Sequence, residues 1–308
     1  MPSTFAFGLG KPRRSEFGVL KWLEITPDYR CNNRCLGCYS ARDDGPAMTG
    51  PEVLRAMYDA RRQGASSLWL GGGEPTLRRD LFAIVKAARE IGFDRVKLQT
   101  NGMLLSYPDF LKRCIDAGVT EVNFAIKGAC AETHDRLTQT PGCFELLLRA
   151  IEAVRKHGLP MEGDVLVYKS SMNELPDVVR LFSERGLERF NLWLLSASLA
   201  PELTAEVPKL SEVVPFILRA MDATNVPVTS LHTPPCTIPA THHACLFQPA
   251  ELGLLVVNPG GESFLLEESP MEGGSFLERC GQCSWRPRCS GIRAEYLALH
   301  GDLEFQPQ

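Results

Sequence analysis

Six short apolar runs alternate along this chain with segments of helical periodicity. The runs predict β-strands at residues 20–26, 67–71, 95–100, 121–126, 162–168 and 190–195. The segments between them carry apolar residues at spacings of three and four, which is typical of amphipathic helices; examples are Leu81, Ile84, Val85 and Ala88. Repeated strand, helix and strand with short connections predict a parallel sheet with right-handed crossovers.

Polar residues recur on one face of these strands and help to choose among parallel folds. They are Glu24, Thr26, Lys97, Gln99, Asn123, Lys127, Asp164, Tyr168, Asn191 and Trp193. A parallel sheet covered by helices on both faces is apolar throughout, and a closed eight-stranded barrel fills its interior with packed side chains. An open barrel with a polar interior fits better, although some of these side chains could instead face solvent at strand ends. We therefore predict an α/β fold, a partial (β/α)6 TIM-like barrel, with a small cysteine-rich C-terminal extension.

The composition of the chain indicates which class of protein contains this predicted barrel. The chain has 308 residues, 44% of them hydrophobic, and a formal net charge of −4. No apolar run reaches the roughly 18 residues that a membrane helix needs, and the first residues lack the apolar centre of a secretory signal. We expect a cytoplasmic protein with no membrane and no nucleic-acid partner. The predicted division is an N-terminal extension at 1–19, the barrel at 20–230 and the cysteine-rich domain at 231–308.

Three of the eleven cysteines fall within eight residues, at Cys31, Cys35 and Cys38. Their spacing, C-x3-C-x2-C, places three thiolates on one loop at the end of the first predicted strand. Three thiolates can bind three corners of a cubane 4Fe-4S cluster and leave one iron open to a small molecule. A structural zinc site is the alternative, but such sites are closed by four ligands.

These cysteines resemble the signature of the radical S-adenosylmethionine (SAM) superfamily. Two further motifs support the resemblance, which covers about residues 20 to 200: Gly71-Gly72-Gly73-Glu74-Pro75 resembles the family's GGEP motif, and Thr100-Asn101-Gly102 ends the third strand. The resemblance implies a six-stranded partial barrel in which the open iron binds SAM. One electron, from a flavodoxin- or ferredoxin-type donor, then cleaves the sulfonium bond to give a 5'-deoxyadenosyl radical that removes a substrate hydrogen.

The resemblance also implies roles for single residues. The carboxylate of Glu74 is suited to the ammonium of SAM, and the glycines let the backbone approach a ligand. Lys127 and Lys169 could meet the SAM carboxylate or the substrate. The cofactor-binding residues implied in this way are Tyr39, Gly72, Gly73, Glu74, Pro75, Asn101, Lys127 and Lys169, with Tyr39 near the adenine. One position departs from the family pattern, because Gly37 stands where an aromatic residue often precedes the third cysteine.

A second cysteine group lies near the C-terminus, at Cys280, Cys283 and Cys289. Residues 254–266 precede it and predict a β-hairpin around a Pro-Gly-Gly turn. The arrangement resembles the SPASM and twitch extensions of radical SAM enzymes, which carry auxiliary iron-sulfur clusters. The full SPASM pattern is not met, because Leu265, Leu266 and Arg293 occupy positions where cysteines would stand. We expect one auxiliary 4Fe-4S cluster, although a four-thiolate zinc site remains an alternative.

The fourth ligand of that cluster is expected from Cys236 or Cys245. Cys236 is preferred because its neighbours Pro234 and Pro235 stiffen the backbone. Cys245 would then be a spare thiol, either packed as an apolar residue or used to return a hydrogen to the substrate radical. Cys130, just beyond the fourth strand, is the second candidate donor.

Three functional interpretations remain open at this point. The first is an oxidoreductase or isomerase acting on a polar small molecule, such as a sugar or aminoglycoside epimerase or dehydrogenase. The second is a peptide-modifying enzyme of the SPASM type. The third is a non-enzymatic iron-sulfur carrier, which would have no need of the GGEP-like loop.

Overall fold

A single nine-stranded sheet organises the residues described by the computed structural model, which are 20–38, 40, 46–198, 201–269 and 274–308. The strands are β1 (Trp22–Ile25), β2 (Ser67–Leu70), β3 (Arg95–Thr100), β4 (Glu121–Ile126), β5 (Met161–Val167), β6 (Arg189–Leu194), β7 (Val228–Leu231), β8 (Leu254–Val257) and β9 (Ser263–Leu265). Their spatial order is β7-β6-β5-β4-β3-β2-β1-β8-β9. The first seven strands therefore lie side by side in chain order.

Every pairing among the first seven strands is parallel. The α/β fold with a parallel sheet is thus confirmed, and each of the six predicted runs overlaps an observed strand. The seventh strand was not predicted. Because parallel neighbours need crossover connections, helices join the strands. The helices are α1 (Gly50–Arg62), α2 (Leu81–Ile91), α3 (Pro108–Ala117), α4 (Ala131–Thr138), α5 (Cys143–Lys156), α6 (Leu175–Ser183), α7 (Leu210–Asp222), α8 (Pro249–Leu252) and α9 (Ala294–His300).

The main core lies between one face of the sheet and the apolar faces of these helices. Leu23 and Leu68 from the sheet and Val53, Met57 and Val85 from the first two helices are fully buried in one cluster. Alternation along a strand sends every second side chain to this core and leaves the intervening ones on the concave face. Fold and core therefore place the polar residues of the strands together on the inside.

The predicted hairpin at 254–266 is confirmed, and it has an unexpected neighbour. β8 and β9 pair antiparallel, with Val257 opposite Ser263. β8 also pairs in parallel with β1, with Trp22 opposite Leu254. The sheet therefore continues across residue 231, where the cysteine-rich domain was predicted to begin. The domain division itself stays a prediction.

Two predicted features lie outside the described residues, namely the extension at 1–19 and Tyr39. Within the described ranges, every helix is too short or too polar to cross a membrane.

Candidate active site

The loop that carries Cys31, Cys35 and Cys38 follows the carboxyl end of β1. Residues that follow β4 and β5 hold it by hydrogen bonds. The backbone nitrogens of Arg34 and Leu36 donate to the carbonyls of Thr138 (3.1 Å) and Leu137 (2.9 Å) at the end of α4. The hydroxyl of Tyr168, a buried residue just after β5, donates to the carbonyl of Leu36 (2.7 Å). The sequence predicted only that Tyr168 lies on the polar face of the strands. Its position at the end of a strand was the one indication that it could contact a neighbouring loop.

Gly37 is explained by the shape of this loop. Its φ angle is +65°, in the left-handed region that favours glycine. A Cβ atom there would lie 2.7 Å from Cδ1 of Leu195, which is closer than carbon atoms pack. The departure from the family pattern therefore follows from a tight backbone turn against Leu195.

The GGEP-like loop packs directly on the chain segment that leads from β1 to Cys31. The backbone nitrogens of Gly73 and Glu74 donate to the carbonyls of Asp28 (2.9 Å) and Arg30 (2.8 Å). A Cβ on Gly73 would lie 2.3 Å from the carbonyl oxygen of Arg30, and one on Gly72, whose φ is +109°, would lie 2.7 Å from that of Asp28. These glycines thus let two protein segments approach each other closely. The sequence had instead predicted that they let the backbone approach a ligand.

Asp28 strengthens the same segment. Its carboxylate accepts hydrogen bonds from the backbone nitrogen (2.9 Å) and Nε (2.6 Å) of Arg30. Burial acts to raise the pKa of Asp28, but the hydrogen bonds and charge of Arg30 outweigh it, and the pKa lies below its usual range. The stem of the cysteine loop is therefore held by backbone pairing and by a local charge-assisted contact.

Glu74 joins the GGEP-like loop to the end of β3. Its Oε1 accepts from the backbone nitrogen (3.0 Å) and hydroxyl (2.5 Å) of Thr76 and from the hydroxyl of Thr100 (2.8 Å). Its Oε2 accepts from the backbone nitrogen of Asn101 (2.8 Å). Burial raises the pKa of Glu74, while the hydrogen bonds from Thr76, Asn101 and Thr100 oppose that rise. Among the described residues Oε2 accepts only this one hydrogen bond, so it has the capacity to accept another.

Asn101 connects this arrangement to the cysteine loop. Its Nδ2 donates to Oδ1 of Asn32 (2.7 Å) and lies 3.9 Å from Sγ of Cys31. Its Oδ1 accepts from the backbone nitrogen of Met103 (3.0 Å), which fixes the orientation of the amide. The three sequence motifs are therefore one hydrogen-bonded unit at the carboxyl ends of β1, β2 and β3.

The three thiols of the loop lie close enough to influence one another. Desolvation, Glu74 and the thiols of Cys35 and Cys38 raise the pKa of Cys31 to about 12, against a lowering by the backbone nitrogen of Asn33, which donates to Cys31 Sγ (3.4 Å). Burial likewise raises the pKa of Cys35, while the positive charge of Lys127 lowers it. Without a bound cation, the first two thiols are thus disfavoured as thiolates.

That donor set fits an iron-sulfur cluster better than a single metal ion. Among the described residues, no three His, Cys, Asp or Glu side chains converge to hold one ion. In a cubane each thiolate binds a different iron, so its ligands stand farther apart than those of one ion. Three neighbouring thiols without a closed set of four match that requirement.

The two candidate lysines lie in different places. Lys127 directly follows β4, and its charge acts on Cys35 and on the buried His134, whose pKa burial lowers to about 4 with a further contribution from Lys127. Lys169 is exposed, and its Nζ forms an ion pair with Glu212 of α7 (3.0 Å). The structure therefore brings Lys127 toward the cysteine loop and directs Lys169 to an outer helix.

The two candidate hydrogen donors also differ in position. Cys130 is exposed at the N-terminal cap of α4, in the connection that begins with Lys127. Cys245 is half-buried against an apolar cluster that contains Val214, Ile238 and Leu246, and burial raises its pKa to about 11. Cys130 thus lies on the same strand-end connection as Lys127, whereas Cys245 packs beside α7.

The C-terminal cysteines converge as a group of four. Cys236, Cys280, Cys283 and Cys289 line one small cavity, which Cys245 does not reach. Burial and then the thiols of Cys289, Cys283 and Cys280 raise the pKa of Cys236 to about 11. Four thiols around one space fit a cubane, in which each thiolate binds a different iron, whereas no three described side chains converge closely enough to hold one zinc ion.

Arg293, which stands where the SPASM pattern has a cysteine, ties this group to the barrel. Its guanidinium is buried and donates to the carbonyls of Leu194 (3.2 Å) and Leu195 (3.1 Å) at the end of β6. It therefore joins the C-terminal segment to the carboxyl end of β6.

Inside the barrel, polar side chains of different strands meet. Gln99 of β3 donates to Asp164 of β5 (2.9 Å), although β4 lies between these strands. Lys97 of β3 likewise bonds Glu162 of β5 (2.6 Å). Such contacts across an intervening strand require a sheet that curves around its polar face, so the predicted polar interior is confirmed.

Comparison with known proteins identifies the family of this chain. The family model described as the radical SAM superfamily matches residues 25–192. This chain belongs to the radical SAM superfamily. Members of this family use a 4Fe-4S cluster and SAM, which confirms the first predicted cluster and the predicted cosubstrate as family properties.

Curated relatives of this superfamily member catalyse different reactions. An AdoMet-dependent heme synthase from Methanosarcina barkeri is 34% identical over 54% of this chain and 48% of its own length. A probable GTP 3',8-cyclase from Saccharolobus solfataricus is 28% identical over 56% of each chain. The chain spans about half the length of these two relatives. Both names denote enzymes, and they do not share a substrate.

Solved radical SAM structures resemble the fold over a longer span. Streptococcus suis SuiB bound to SAM matches with a TM-score of 0.72 at 14% identity, covering 94% of this chain and 76% of SuiB. Native anSMEcpe with bound AdoMet and the Cp18Cys peptide matches with a TM-score of 0.60 at 16% identity, covering 89% and 88%. At these identities the likeness concerns the fold.

Proposed function

We propose that this radical SAM chain reductively cleaves SAM to a 5'-deoxyadenosyl radical and uses it to take hydrogen from a polar substrate. The observation that carries the proposal is the hydrogen-bonded unit of the cysteine loop, Glu74 and Asn101 at the carboxyl end of the barrel. Parallel barrels place their reacting groups at that end. The favoured reaction is that of a small-molecule oxidoreductase or isomerase, such as a dehydrogenase or epimerase of a sugar or aminoglycoside-like compound.

In this proposal Cys31, Cys35 and Cys38 bind the catalytic cluster. When bound, a 4Fe-4S cluster with an open iron supplies the electron that breaks the sulfonium bond, and a flavodoxin- or ferredoxin-type protein would replenish it. Asn101 orients the loop through Asn32 and lies beside Cys31. The remaining acceptor capacity of Oε2 of Glu74 is available for the ammonium of SAM.

Lys127 would balance negative charge at the same end of the barrel. Its ammonium has no ion-pair partner among the described residues, and its field already acts on Cys35. A carboxylate of SAM or of a substrate would supply such a partner. Because Lys169 is paired with Glu212 on the outside, we propose Lys127 for this role ahead of Lys169. Gly72, Gly73 and Pro75 would shape the SAM pocket by holding the loops together.

The polar interior supports a polar substrate, and a second candidate is a peptide. SuiB was solved bound to its precursor peptide SuiA, and anSMEcpe was solved with a bound peptide. These facts belong to those proteins, but the shared fold makes a peptide-modifying reaction the alternative for this chain.

We further propose that Cys236, Cys280, Cys283 and Cys289 bind one auxiliary 4Fe-4S cluster in a SPASM- or twitch-like domain spanning residues 231–308, after a barrel at 20–230. The cavity that these four thiols share supports the assignment. Of the two candidate hydrogen donors, the exposed Cys130 is favoured by its place in the connection that follows β4. The packing of Cys245 against α7 favours an apolar role instead.

The experiment that tests the function is anaerobic incubation of the cluster-loaded chain with SAM and dithionite. We expect 5'-deoxyadenosine, detected by mass spectrometry, because substrate-free radical SAM chemistry still breaks the sulfonium bond slowly. Omission of dithionite is the control and is expected to give none. A fully loaded chain that forms no 5'-deoxyadenosine with dithionite, alone or with cell metabolites, would contradict the proposal.

Iron content separates Cys236 from Cys245 as a cluster ligand. In Cys236→Ala we expect iron to fall from about eight to about four per chain, because one cubane loses a ligand. Cys245→Ala is the matched control and is expected to keep all of the iron. Colorimetric iron analysis after anaerobic reconstitution measures both variants. The opposite result, with iron lost only in Cys245→Ala, would reverse the assignment, and zinc in place of iron would identify a zinc site.

A further inference from the structure

We propose that Asp164 binds a protonated amine of the substrate inside the barrel, with Asn123 and Trp193 contacting hydroxyl groups of the same molecule. The substrate class is then an amine-bearing polyol such as an amino sugar. This inference rests on the proposed function and narrows it to one class of polar substrate.

Asp164 lies in the middle of β5 and is held by two amide donors. Nε2 of Gln99 donates to its Oδ2 and Nδ2 of Asn191 donates to its Oδ1, both at 2.9 Å. Each carboxylate oxygen offers two acceptor sites, so each oxygen keeps one. The two amides thus fix the carboxylate in place and leave it able to accept two further hydrogen bonds.

The charge of Asp164 is not neutralised by a neighbouring cation. Among the described residues it forms no ion pair, because the nearby ammonium of Lys97 bonds Glu162 (2.6 Å) and Glu121 (3.6 Å). Asp164 is 7% exposed, and an unpaired carboxylate buried to that degree is costly. Burial raises the pKa of Asp164, which the amides of Asn191 and Asn123 and the charge of Lys97 oppose. A cationic ligand would remove the cost by pairing with the carboxylate.

Two further polar side chains on the same inner face as Asp164 carry buried atoms that have no hydrogen-bond partner among the described residues. Asn123 is 0% exposed, and within the described ranges neither its Oδ1 nor its Nδ2 has a hydrogen-bond partner. It lies near enough to Asp164 to stabilise the charge, but outside hydrogen-bond geometry. Nε1 of Trp193 is also buried, and the part of the chain that the structure describes offers it no hydrogen-bond partner. A buried polar group without a hydrogen-bond partner destabilises the folded chain, so three such atoms on one face point to a missing polar partner.

The strand register places these groups on the same inner face. Asp164 pairs with Ala125 on one side and with Asn191 on the other. Asn123 and Trp193 are each two residues from one of those partners, so their side chains point to the same face as Asp164. Gln99, Asn191 and Trp193 are partly exposed, which leaves this region reachable from the barrel interior.

The chemistry of the group selects the ligand. The carboxylate of Asp164 pairs best with a cationic donor. The amide of Asn123 needs a group that both donates and accepts, and the indole N–H of Trp193 needs an acceptor. A hydroxyl satisfies the last two requirements, and an ammonium satisfies the first. An indole face also attracts a cation. A neutral sugar would leave the Asp164 charge unpaired.

The test compares two sugars that differ in one charge, glucosamine and N-acetylglucosamine, by ligand-observed NMR titration of the SAM-bound holoenzyme. We expect glucosamine to bind the wild type at least about tenfold more tightly, because acetylation removes the ammonium. In Asp164→Asn, an isosteric change, that preference is expected to vanish. Asp177→Asn on the exposed face of α6 is the matched control and is expected to keep it.

Several outcomes would overturn the inference. Equal binding of the two sugars by the wild type would do so even if Asp164→Asn failed to fold, which circular dichroism reports. A glucosamine preference that survives in a folded Asp164→Asn would place the amine site elsewhere. A tenfold loss of SAM affinity in Asp164→Asn would assign the residue to the SAM pocket. A chain that prefers glucosamine but forms no 5'-deoxyadenosine contradicts the proposed function alone, whereas one that forms it without any such preference contradicts this inference alone.

Discussion

Replacing Cys31, Cys35 and Cys38 together with alanine is expected to abolish SAM cleavage. These thiols are the ligands proposed for the catalytic cluster, and a chain without them lacks all three proposed ligands. Iron is expected to fall from about eight to about four per chain, because the cubane proposed for the C-terminal cysteines does not depend on these three ligands. Iron analysis and detection of 5'-deoxyadenosine measure the two effects on the same sample.

The matched control is Cys114→Ala, since Cys114 is a buried cysteine on α3. It is expected to leave both iron content and SAM cleavage intact. Residual cleavage in the triple variant would show that another site carries the chemistry. A fully loaded wild type with only about four irons would contradict the proposal of two clusters.

Glu74→Gln is expected to weaken SAM binding about ten- to hundredfold at nearly unchanged iron content. A charged hydrogen bond is worth about 1.5–3 kcal/mol, which corresponds to that change in affinity. The structure adds a second effect, because Glu74 accepts from Thr76, Thr100 and Asn101 with both oxygens. A glutamine amide group must turn its nitrogen toward at least one of these donors, so some loss of stability is expected as well.

Isothermal titration of cluster-loaded protein with SAM measures this change, and Thr100→Val separates its two causes. That variant removes one donor to Glu74 but keeps the charge. Its expected loss is about 1 kcal/mol of unfolding free energy, with SAM affinity altered by about threefold or less. Unchanged SAM affinity in Glu74→Gln would show that Glu74 does not bind SAM. Its role would then be structural, to connect the ends of β2 and β3 through hydrogen bonds.

The strands that the sequence predicted well are those with strong local patterns. Residues 95–100 and 121–126 match β3 and β4 at both ends, and 67–71 matches β2 to within one residue. β7, with the sequence Val-Thr-Ser-Leu, was missed because four residues with two small polar members carry too little periodicity. Its strand conformation depends on pairing with β6, which supplies backbone hydrogen bonds that no local signal encodes.

The candidate site also has one part that the sequence predicted and one part that only the fold decided. The spacing of Cys31, Cys35 and Cys38 predicts a shared loop because so few residues separate them. The choice between Cys236 and Cys245 could not be made from spacing, since both lie more than thirty residues from Cys280. Only the folded chain brings Cys236 to the other three thiols and packs Cys245 against α7.

The sequence by itself determined the family, the parallel α/β class and the motifs that meet at the strand ends, because each depends on residues close together in the chain. The tertiary structure alone decided that β8 extends the sheet beside β1, that Tyr168 holds the cysteine loop, and that Gln99 and Asn191 both donate to Asp164. The physical reason is that such contacts follow from strand register and sheet curvature. Both arise from the packing of the whole core, which no short stretch of sequence specifies.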